Sequence, residues 1–367
     1  MPERATILFA GLSTATTPKI ALIRHSLQQR FASVKTAGLV KFPEKGVHIH
    51  NFVVNRQSTV EKIFFAGIAL LRMAAFLIKK SSRADLHYAI NPPAGLLALM
   101  LKKLTGTPYI YEAHEIFCGF QNDIYGGKGK ALWRFLERCI IANADYFFAT
   151  DEFRLKFIRR YYRLAPRASS YLYNTAPSSP WGEGGKQPGL ISYCGGIYPD
   201  REIALLIEAL ALADERAQLI LAGGYDPQYK ALLDQRILEK GLAGRVTFTG
   251  PVSNQHIRQI MAQSQMTIAI YAQDCVNNRL CSPNKYFDAI MTGTFIVSSK
   301  SPLAKKLLVA NRIGYTLEQV TAQGLAQAID RYFQNVPDSS APYAALSRQY
   351  SWQAEQMKLF TALESIH

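Results

Sequence analysis

Two α/β domains are predicted by three features of this 367-residue sequence. Short apolar runs alternate with amphipathic stretches along the whole chain, which is typical of parallel sheets covered by helices on both faces. The length is at least twice that of a typical single-core domain. One segment rich in Pro, Gly and Ser interrupts the alternation, at residues 175–189. We therefore predict a domain over 1–174, a linker over 175–189, a second domain over 190–345 and a final helix within 346–367.

The strands are predicted from apolar runs that are bounded by turn residues. In the first half they are residues 6–10, 33–40, 85–89, 108–112 and 146–150, and in the second half residues 190–194, 218–222, 245–249, 266–270 and 294–298. Helical patterns separate them, including residues 19–31, 95–104, 130–142, 203–213 and 257–262. Because ligands of open parallel sheets bind at the carboxyl ends of the strands, functional residues are expected in the loops that follow them.

Positive charge is concentrated in the first half of the chain. The whole sequence has a net charge of +15, and residues 1–180 contain 25 Lys and Arg against 11 Asp and Glu. Residues 181–367 are almost neutral, with 17 basic and 16 acidic residues. The first half should therefore favour an anionic partner: a membrane face, a nucleic acid or a phosphate-bearing molecule.

The cysteines and the N-terminus indicate a protein of a reducing compartment. The five cysteines form no CxxC pair, which argues against a zinc knuckle, a redox motif or a disulfide framework. The first residues carry Glu3 and no long apolar run, so they do not resemble a secretory signal. A cytoplasmic location is expected.

The apolar segment 63–78 breaks the α/β alternation. Its sixteen residues span roughly 24 Å as a helix, which is short of the hydrocarbon core of a bilayer. Two interpretations stay open: a helix buried in the first domain, or an interfacial helix on an anionic membrane. The basic half of the chain favours the second. The cations within and beside the segment are Lys62, Arg72, Lys79, Lys80 and Arg83.

A phosphate site is predicted at a helix that follows Ser282 and Asn284. Free amides at the start of this helix give partial positive charge, and Lys285 adds a full charge. Asp288 lies one turn beyond Asn284, where a carboxylate can accept hydrogen bonds from ribose hydroxyls. An ordinary capped helix with a solvated Lys and Asp is the alternative interpretation.

Glycine-bearing loops follow three successive strands of the second half. Gly196 and Gly223 would let the backbone approach a ligand closely, and the loop at Val252 could contact a base edge. Arg201 follows the first of these loops and can grip a pyrophosphate in bidentate fashion. Three such loops in one sheet indicate a ligand site better than any one alone.

His114 is the catalytic candidate of the first half. It lies between Glu112 and Glu115 at the carboxyl end of the strand that starts at residue 108, and Glu112 is expected to join it in the catalytic set. A structural role is the more common one for a single histidine. Gly11 ends the first strand and could lie against a phosphate, although no GxGxxG fingerprint surrounds it.

These motifs resemble glycosyltransferase family 4, whose members are retaining, nucleotide-sugar-dependent enzymes of the GT-B fold. Residues 282–293, SPNKYFDAIMTG, are similar to the family's Ser-Pro-Asn-Lys-x-Phe-Glu-Ala-Met-x-x-Gly helix start. Residues 111–115, YEAHE, resemble the family's Tyr-Asp-x-His-Glu. The resemblance spans nearly the whole chain. It implies two Rossmann-like domains that face each other across a cleft, with a C-terminal helix that crosses back to the first domain.

The resemblance also implies the chemistry. The second domain would bind the donor, Arg201 and Lys285 would stabilise the leaving diphosphate, and no metal or other cofactor would be needed. His114 would position donor and acceptor rather than form a covalent bond. The chain departs from the family at Leu280 and Asp288, where the family often has two glutamates.

The expected partners are a nucleotide-sugar donor, a saccharide or lipid-linked acceptor and an anionic membrane surface. The resemblance places such a hexosyltransferase in cell-surface polysaccharide or glycolipid assembly, peripherally bound at the cytoplasmic face of a bacterial inner membrane. A nucleotide-sugar epimerase of the same fold and a non-catalytic sugar-binding relative remain alternatives. Nucleic acid is not expected as a partner, because no nucleic-acid-binding motif accompanies the positive charge.

Overall fold

The computed structural model describes residues 4–10, 18–39, 84–119, 130–164, 168–178, 185–336 and 340–366. The chain divides into two compact units. The N-terminal unit comprises Met1–Tyr173 together with Glu355–His367, and the C-terminal unit comprises Asn174–Ala354. The segment expected as a linker, residues 175–189, belongs to the C-terminal unit, and a strand already begins at Gln187.

The N-terminal unit contains a parallel sheet. Its described strands are β1 (Arg4–Ala10), β2 (Ser33–Leu39), β3 (Leu86–Ile90), β4 (Tyr109–Ala113), β5 (Tyr146–Ala149) and β6 (Ser169–Tyr171). They lie in the order β2-β1-β3-β4-β5-β6, and every neighbouring pair is parallel. The central strands β3 and β4 are buried along their whole length, as expected for a sheet with helices on both faces.

Helices connect these strands. They are α1 (Pro18–Gln28), α2 (Asn91–Thr105), α3 (Lys130–Asn143) and α4 (Glu152–Tyr162). The start of α4 is fixed by Asp151, whose carboxylate accepts hydrogen bonds from the amides of Phe153 and Arg154 at 2.8 Å. Helix α2 ends at Gly106, which adopts a φ of 76° and closes the helix with a left-handed residue.

The C-terminal unit repeats the design. Its strands are β7 (Gln187–Cys194), β8 (Gln218–Ala222), β9 (Val246–Gly250), β10 (Ser264–Ala269), β11 (Phe295–Ser299) and β12 (Gly314–Leu317). The order is β12-β11-β10-β7-β8-β9, again with parallel neighbours. The prediction of two parallel-sheet α/β domains is therefore confirmed. The reversal of strand order beside β7 puts its carboxyl end at a topological switch point, where open sheets bind ligands.

The helices of the C-terminal unit cover both faces of its sheet. They are α5 (Ile203–Leu212), α6 (Pro227–Glu239), α7 (Asn254–Gln263), α8 (Asn284–Thr292), α9 (Ala322–Gln334) and α10 (Ser340–Gln349). One continuous core lies between β7, β8, β10 and the helices α5, α6 and α9. Its buried members include Ile191, Leu206, Leu219 and Ile329.

The last helix, α11 (Trp352–Glu364), begins in the C-terminal unit and belongs to the N-terminal unit from Glu355 onward. The buried Glu355 accepts a hydrogen bond from the amide of Tyr173 at 2.9 Å. Lys358 lies 3.9 Å from the ring centroid of Tyr171, and Gln356 donates to Ser26 at 2.9 Å. These contacts bind the helix to α1 and to the chain that follows β6.

Two edge strands were not expected from the sequence. β6 has three residues that are all half-buried, and β12 has only its first residue fully buried. Such short edge strands lack the apolar run that identifies a central strand, so their sequences resemble loops. Helix α4 was not among the helical patterns named from the sequence, although its apolar residues recur at helical spacing.

No helix within the described parts of the chain is both long enough and apolar enough to cross a membrane.

Replacement of Gly95 by Ala is expected to destabilise the N-terminal unit. A Cβ at Gly95 would lie 2.7 Å from Ile140 Cγ2 and 2.7 Å from Tyr111 Cε2, so α2 would be pushed away from α3 and β4. Such overpacking costs about 1–3 kcal/mol, and urea unfolding measures it. Gly244→Ala is the control, because nothing lies within 4 Å of the Cβ it would add. Equal stability of the two variants would contradict the close packing at Gly95.

Candidate functional site

The loops after β7, β8 and β9 lie side by side at the carboxyl edge of the C-terminal sheet. The amide of Gly195 donates to the Ala222 carbonyl at 2.8 Å, and the amide of Gly223 donates to the Gly250 carbonyl at 3.1 Å. Ile197 continues the pairing by donating to Gly224 at 2.9 Å. The three glycine-bearing loops predicted from the sequence are thus brought together by backbone hydrogen bonds.

Glycine is required where the first two of these loops meet. Gly195 and Gly223 have φ angles of 140° and 148°, which side chains of L-residues rarely adopt. A Cβ on Gly223 would lie 2.0 Å from the carbonyl oxygen of Gly195. The sequence prediction named Gly196, and there a Cβ would meet the ring of Tyr198 at 2.6 Å. Backbone contact therefore holds the loops closer together than any side chain would permit.

Lys285 lies against the first glycine loop. Helix α8 positions it, because the left-handed Gly293 ends the helix and its apolar face buries Tyr286, Phe287 and Ile290. A Cβ on Gly195 would lie 2.9 Å from Lys285 Nζ, so the ammonium group occupies the space that the missing side chain leaves open. Lys285 and the first glycine loop, which the sequence analysis treated separately, are therefore neighbours in the structure.

Two tyrosines and an arginine complete the surroundings of Lys285. Its Nζ lies 4.7 Å from the ring centroid of Tyr193 and 5.6 Å from that of Tyr271, whose hydroxyl is 3.5 Å away. The guanidinium carbon of Arg201 lies 5.3 Å from the same Tyr271 ring. Aromatic faces attract cations, so Tyr271 favours the presence of both Lys285 and Arg201 despite their mutual repulsion.

Burial, and next the charge of Arg201, lower the pKa of Lys285 to about 8. Two cations at the end of a buried sheet form an electrostatically strained pair, and a dianion placed beside them would relieve the strain.

Asp288 lies one turn along α8 from Lys285. Burial raises the pKa of its carboxyl group to about 6, although the positive charges of Arg258 and Lys285 oppose the rise. A carboxyl group with a pKa near 6 changes its charge close to neutrality, so its ability to accept hydrogen bonds from a ligand depends on pH.

The other predicted residues of this edge lie around the helix start and the third loop. Ser282 is buried, and its carbonyl accepts a hydrogen bond from the side-chain amide of Asn174 at 3.0 Å. Asn284 is exposed as the first residue of α8, and Val252 is half-buried two residues after Gly250.

In the N-terminal unit, His114 belongs to a buried charged cluster at the carboxyl end of β4. Its Nε2 lies 3.2 Å from Glu112 Oε1, and the same carboxylate oxygen is 2.5 Å from Lys19 Nζ. Tyr88 donates a hydrogen bond to the other oxygen of Glu112 at 2.5 Å. The Lys19 ammonium group also donates to the carbonyl of Leu172 at 2.6 Å.

Glu112, which was expected in the catalytic set, is enclosed by the fold. Its side chain has no exposed surface. Burial alone would raise the pKa of this carboxyl group, but the neighbouring Lys19 and His114 hold it at about 2. A permanently ionised, fully enclosed carboxylate cannot touch a substrate. Glu112 therefore contacts the imidazole of His114 from inside the fold, where it can fix the orientation of the ring.

The backbone of His114 is fixed as firmly as its side chain. Its amide donates to Asn91 Oδ1 at 3.0 Å, and its carbonyl accepts from the buried Arg154 at 2.6 Å. Asn91 has a φ of 67°, a left-handed conformation that asparagine tolerates better than most residues. These contacts preorganise the histidine at the edge of the sheet.

Other predicted residues lie outside the described part of the chain. They are Gly11, the apolar segment 63–78 and the cations Lys62, Arg72, Lys79, Lys80 and Arg83.

Sequence reasoning missed Lys19, Tyr88, Tyr193 and Tyr271. Lys19 had a readable signal: it falls on the same face of α1 as the buried Ile20, Ile23 and Leu27, and a lysine on an apolar face requires a buried anion. The tyrosines carried no such signal, because an aromatic residue in a strand is ordinarily part of the core.

No group of three or more His, Cys, Asp or Glu side chains that could hold a metal ion occurs within the described residues.

Two family models match the chain. Residues 21–172 match the glycosyl transferase 4-like domain, and residues 188–335 match the glycosyl transferases group 1 model. A comparison with functionally curated proteins found no match.

Solved structures with the same fold include three glycosyltransferases. HepE of Anabaena in complex with UDP and glucose superposes with a TM-score of 0.73 at 16% identity, covering 98% of this chain and 99% of that one. Sucrose-phosphate synthase from Thermosynechococcus elongatus gives a TM-score of 0.77 at 14% identity, covering 99% of both chains. The lipopolysaccharide outer core galactosyltransferase WaaB gives 0.65 at 14% identity, also covering 99% of both.

The two family models fall on the two units of the structure, and the neighbours share both parallel sheets. The chain is therefore a glycosyltransferase of the GT-B fold, with a glycosyl transferase 4-like N-terminal domain and a group 1 C-terminal domain.

Proposed function

We propose that the protein is a retaining glycosyltransferase that moves a sugar from a nucleotide-sugar donor to a saccharide acceptor. The observation that carries the proposal is the placement of Lys285 and Arg201 around Tyr271, beside glycine loops that meet through their backbones. Two partly enclosed cations next to an open backbone surface suit a diphosphate. HepE, which shares the fold, was solved with UDP and with UDP-glucose, so a UDP-sugar is the first donor to test.

The donor would lie along the carboxyl edge of the C-terminal sheet. Its diphosphate would face Lys285 and Arg201, its ribose would donate hydrogen bonds to Asp288, and its base would contact the loop at Val252. Ser282, Asn284, Gly196 and Gly223 would supply the surrounding backbone.

In the transfer, the bond between the sugar's anomeric carbon and the diphosphate oxygen breaks. The acceptor hydroxyl attacks the same face, and its proton passes to the leaving diphosphate. The two cations stabilise the negative charge that develops on the diphosphate. His114, oriented by Glu112, contacts the sugar or acceptor hydroxyls, and no metal ion or other cofactor takes part.

The acceptor in this proposal is a lipid-linked saccharide in bacterial surface polysaccharide or glycolipid assembly. The enzyme would act as a peripheral protein at the cytoplasmic face of the inner membrane. The net charge of residues 1–180 supports this placement, because 25 basic residues against 11 acidic ones attract anionic lipid. WaaB, another protein of this fold, is a lipopolysaccharide galactosyltransferase.

Arg201→Ala and Lys285→Ala are each expected to lower kcat/KM for the donor. Each change should remove about 2–4 kcal/mol of transition-state stabilisation, which is typical of the loss of one preorganised charge. The assay measures donor hydrolysis and sugar transfer with a panel of nucleotide sugars and a bacterial lipid extract. Lys240→Ala removes an exposed cation from the same unit and should leave both rates unchanged. Full activity of either site variant with saturating donor would refute the diphosphate site.

The pH dependence of kcat/KM should be bell-shaped, since this parameter reports the groups of the free enzyme. Asp288 is ionised above its pKa of about 6, and Lys285 is charged below its pKa of about 8. Activity should therefore decline on the acid side of 6 and on the alkaline side of 8. Lys285→Arg should remove the alkaline limb, because a guanidinium stays charged. Asp288→Asn should make kcat/KM independent of pH on the acid side and lower than the wild-type maximum. An unchanged decline on the acid side would exclude Asp288 as its cause.

Exhaustive treatment with EDTA is expected to leave the transfer rate unchanged, because Lys285 and Arg201 supply the charge that a metal ion would otherwise provide. The measurement compares initial rates before and after treatment. Lost activity that Mg²⁺ or Mn²⁺ restores would overturn the metal-free mechanism.

A further inference from the structure

Two adjoining cavities lie between α3 and α4 of the N-terminal unit. One has a volume of about 230 Å³ and the other about 410 Å³, and both are lined by Arg138 and Arg163. The smaller cavity opens between the start of β5 and the start of β6, at Phe147 and Ser169. This is the amino edge of the sheet, whereas His114 lies at the carboxyl edge.

The smaller cavity has an apolar floor and a cationic mouth. Its buried lining residues are Ile141, Ala144 and Phe147, all less than 7% exposed. Arg138 and Arg163 line the same cavity and are exposed. An opening of this kind suits a molecule with an anionic head and an apolar body.

The arginines around the cavities lack acidic partners. Among the described residues, no carboxylate lies within ion-pair distance of Arg134, Arg138, Arg159 or Arg163. Glu137, the acidic residue of α3, is buried and accepts hydrogen bonds from Tyr111 at 3.2 Å and Tyr162 at 2.5 Å. Within the described parts of the chain, this surface therefore presents positive charge without an ion-paired carboxylate.

Large apolar side chains lie beside these cations. Leu132 and Phe135 of α3 are 60% and 61% exposed, and Phe135 lines the larger cavity together with Arg134. Exposed apolar groups next to uncompensated arginines match the boundary between lipid headgroups and acyl chains.

We propose that this α3–α4 surface, comprising Leu132, Phe135 and the arginines at positions 134, 138, 159 and 163, docks the N-terminal unit on an anionic phospholipid membrane. The lipid phosphates pair with the arginines, Leu132 and Phe135 enter the headgroup region, and one acyl chain reaches the apolar floor of the smaller cavity. The site rests on its own residues and does not require the proposed transfer reaction, because it lies at the opposite edge of the sheet from His114.

A membrane fits this surface better than a free phosphate or a nucleic acid. A free phosphate would leave the apolar floor empty and the exposed Leu132 and Phe135 without a role. A nucleic acid could stack a base on the exposed Phe135, but it would leave the exposed Leu132 and the apolar floor of the smaller cavity without a partner.

Co-sedimentation with vesicles tests the proposal. The full-length protein should pellet with phosphatidylcholine vesicles that contain phosphatidylglycerol, much less with phosphatidylcholine alone, and be released by high salt. Each basic residue near an anionic leaflet raises the partition coefficient about fivefold, so Arg138→Gln with Arg163→Gln should lower it about thirtyfold. Leu132→Ser with Phe135→Ser should lower binding to the same vesicles without a change of charge.

Lys240→Gln with Arg348→Gln is the charge-matched control, since both residues are exposed in the C-terminal unit. Binding of this control at the wild-type level supports the α3–α4 surface, provided that thermal unfolding shows all variants to be folded. Lys79→Glu, Lys80→Glu and Arg83→Glu together test the other basic segment of the chain.

Three results would overturn the proposal: wild-type binding by the Arg138 and Arg163 variant, equal binding to neutral and anionic vesicles, or displacement from vesicles by inorganic phosphate or single-stranded RNA at matched ionic strength. Donor hydrolysis should be unchanged in the surface variants. A wild-type protein that binds vesicles but transfers no sugar would refute the proposed function and leave this surface intact.

Discussion

The chemistry of the C-terminal domain depends on one close approach, in which the backbone of Gly223 lies against the carbonyl of Gly195. Parallel strands end at the same edge, so the loops that follow them compete for the same space. Glycines let the two loops pack together because they have no side chain. The space beside Gly195 that a side chain would occupy is filled by the Lys285 ammonium group. Lys285 and Arg201 are then held near one tyrosine ring, with a pKa of about 8 for the lysine, because two cations share a partly dry site. The proposed binding of a diphosphate rests on this arrangement.

In the N-terminal domain the buried charge is negative, because it is the carboxylate of Glu112. Glu112 is enclosed completely, and Lys19, Tyr88 and His114 together satisfy it. Removal of one partner would leave a buried charge uncompensated, which is strongly destabilising. The cluster thus joins β3, β4 and α1 into a rigid support for one imidazole, and rigidity is what a positioning histidine needs.

The sequence predicted those elements correctly whose local residue pattern has one physical explanation. Central strands such as β8, with its buried apolar run, were placed within a residue or two, and the helix start at Lys285 was located from its capping and charge pattern. The edge strand β6 was missed because three half-buried residues leave no periodicity to detect. Tyr271 was missed for a different reason: its role depends on residues distant in the chain, and a single sequence does not display such contacts. Lys19 differs from it, because a lysine on the apolar face of α1 already indicates a buried anion. The complete burial of Glu112 was not expected either, because burial is a property of the folded protein.

The C-terminal helix has a consequence for the order in which the chain can fold. The C-terminal domain is continuous, from Asn174 to Ala354, whereas the N-terminal domain is completed by Glu355–His367. The first domain to be synthesised is therefore the one that cannot finish folding until the end of the chain has been made. The first domain must wait with the Tyr173 amide and the Tyr171 ring uncovered until Glu355 and Lys358 emerge. Chaperones that bind nascent chains would therefore encounter this protein while its basic half is still incompletely folded. The delay follows from the connectivity of the fold, because the last helix completes the first domain.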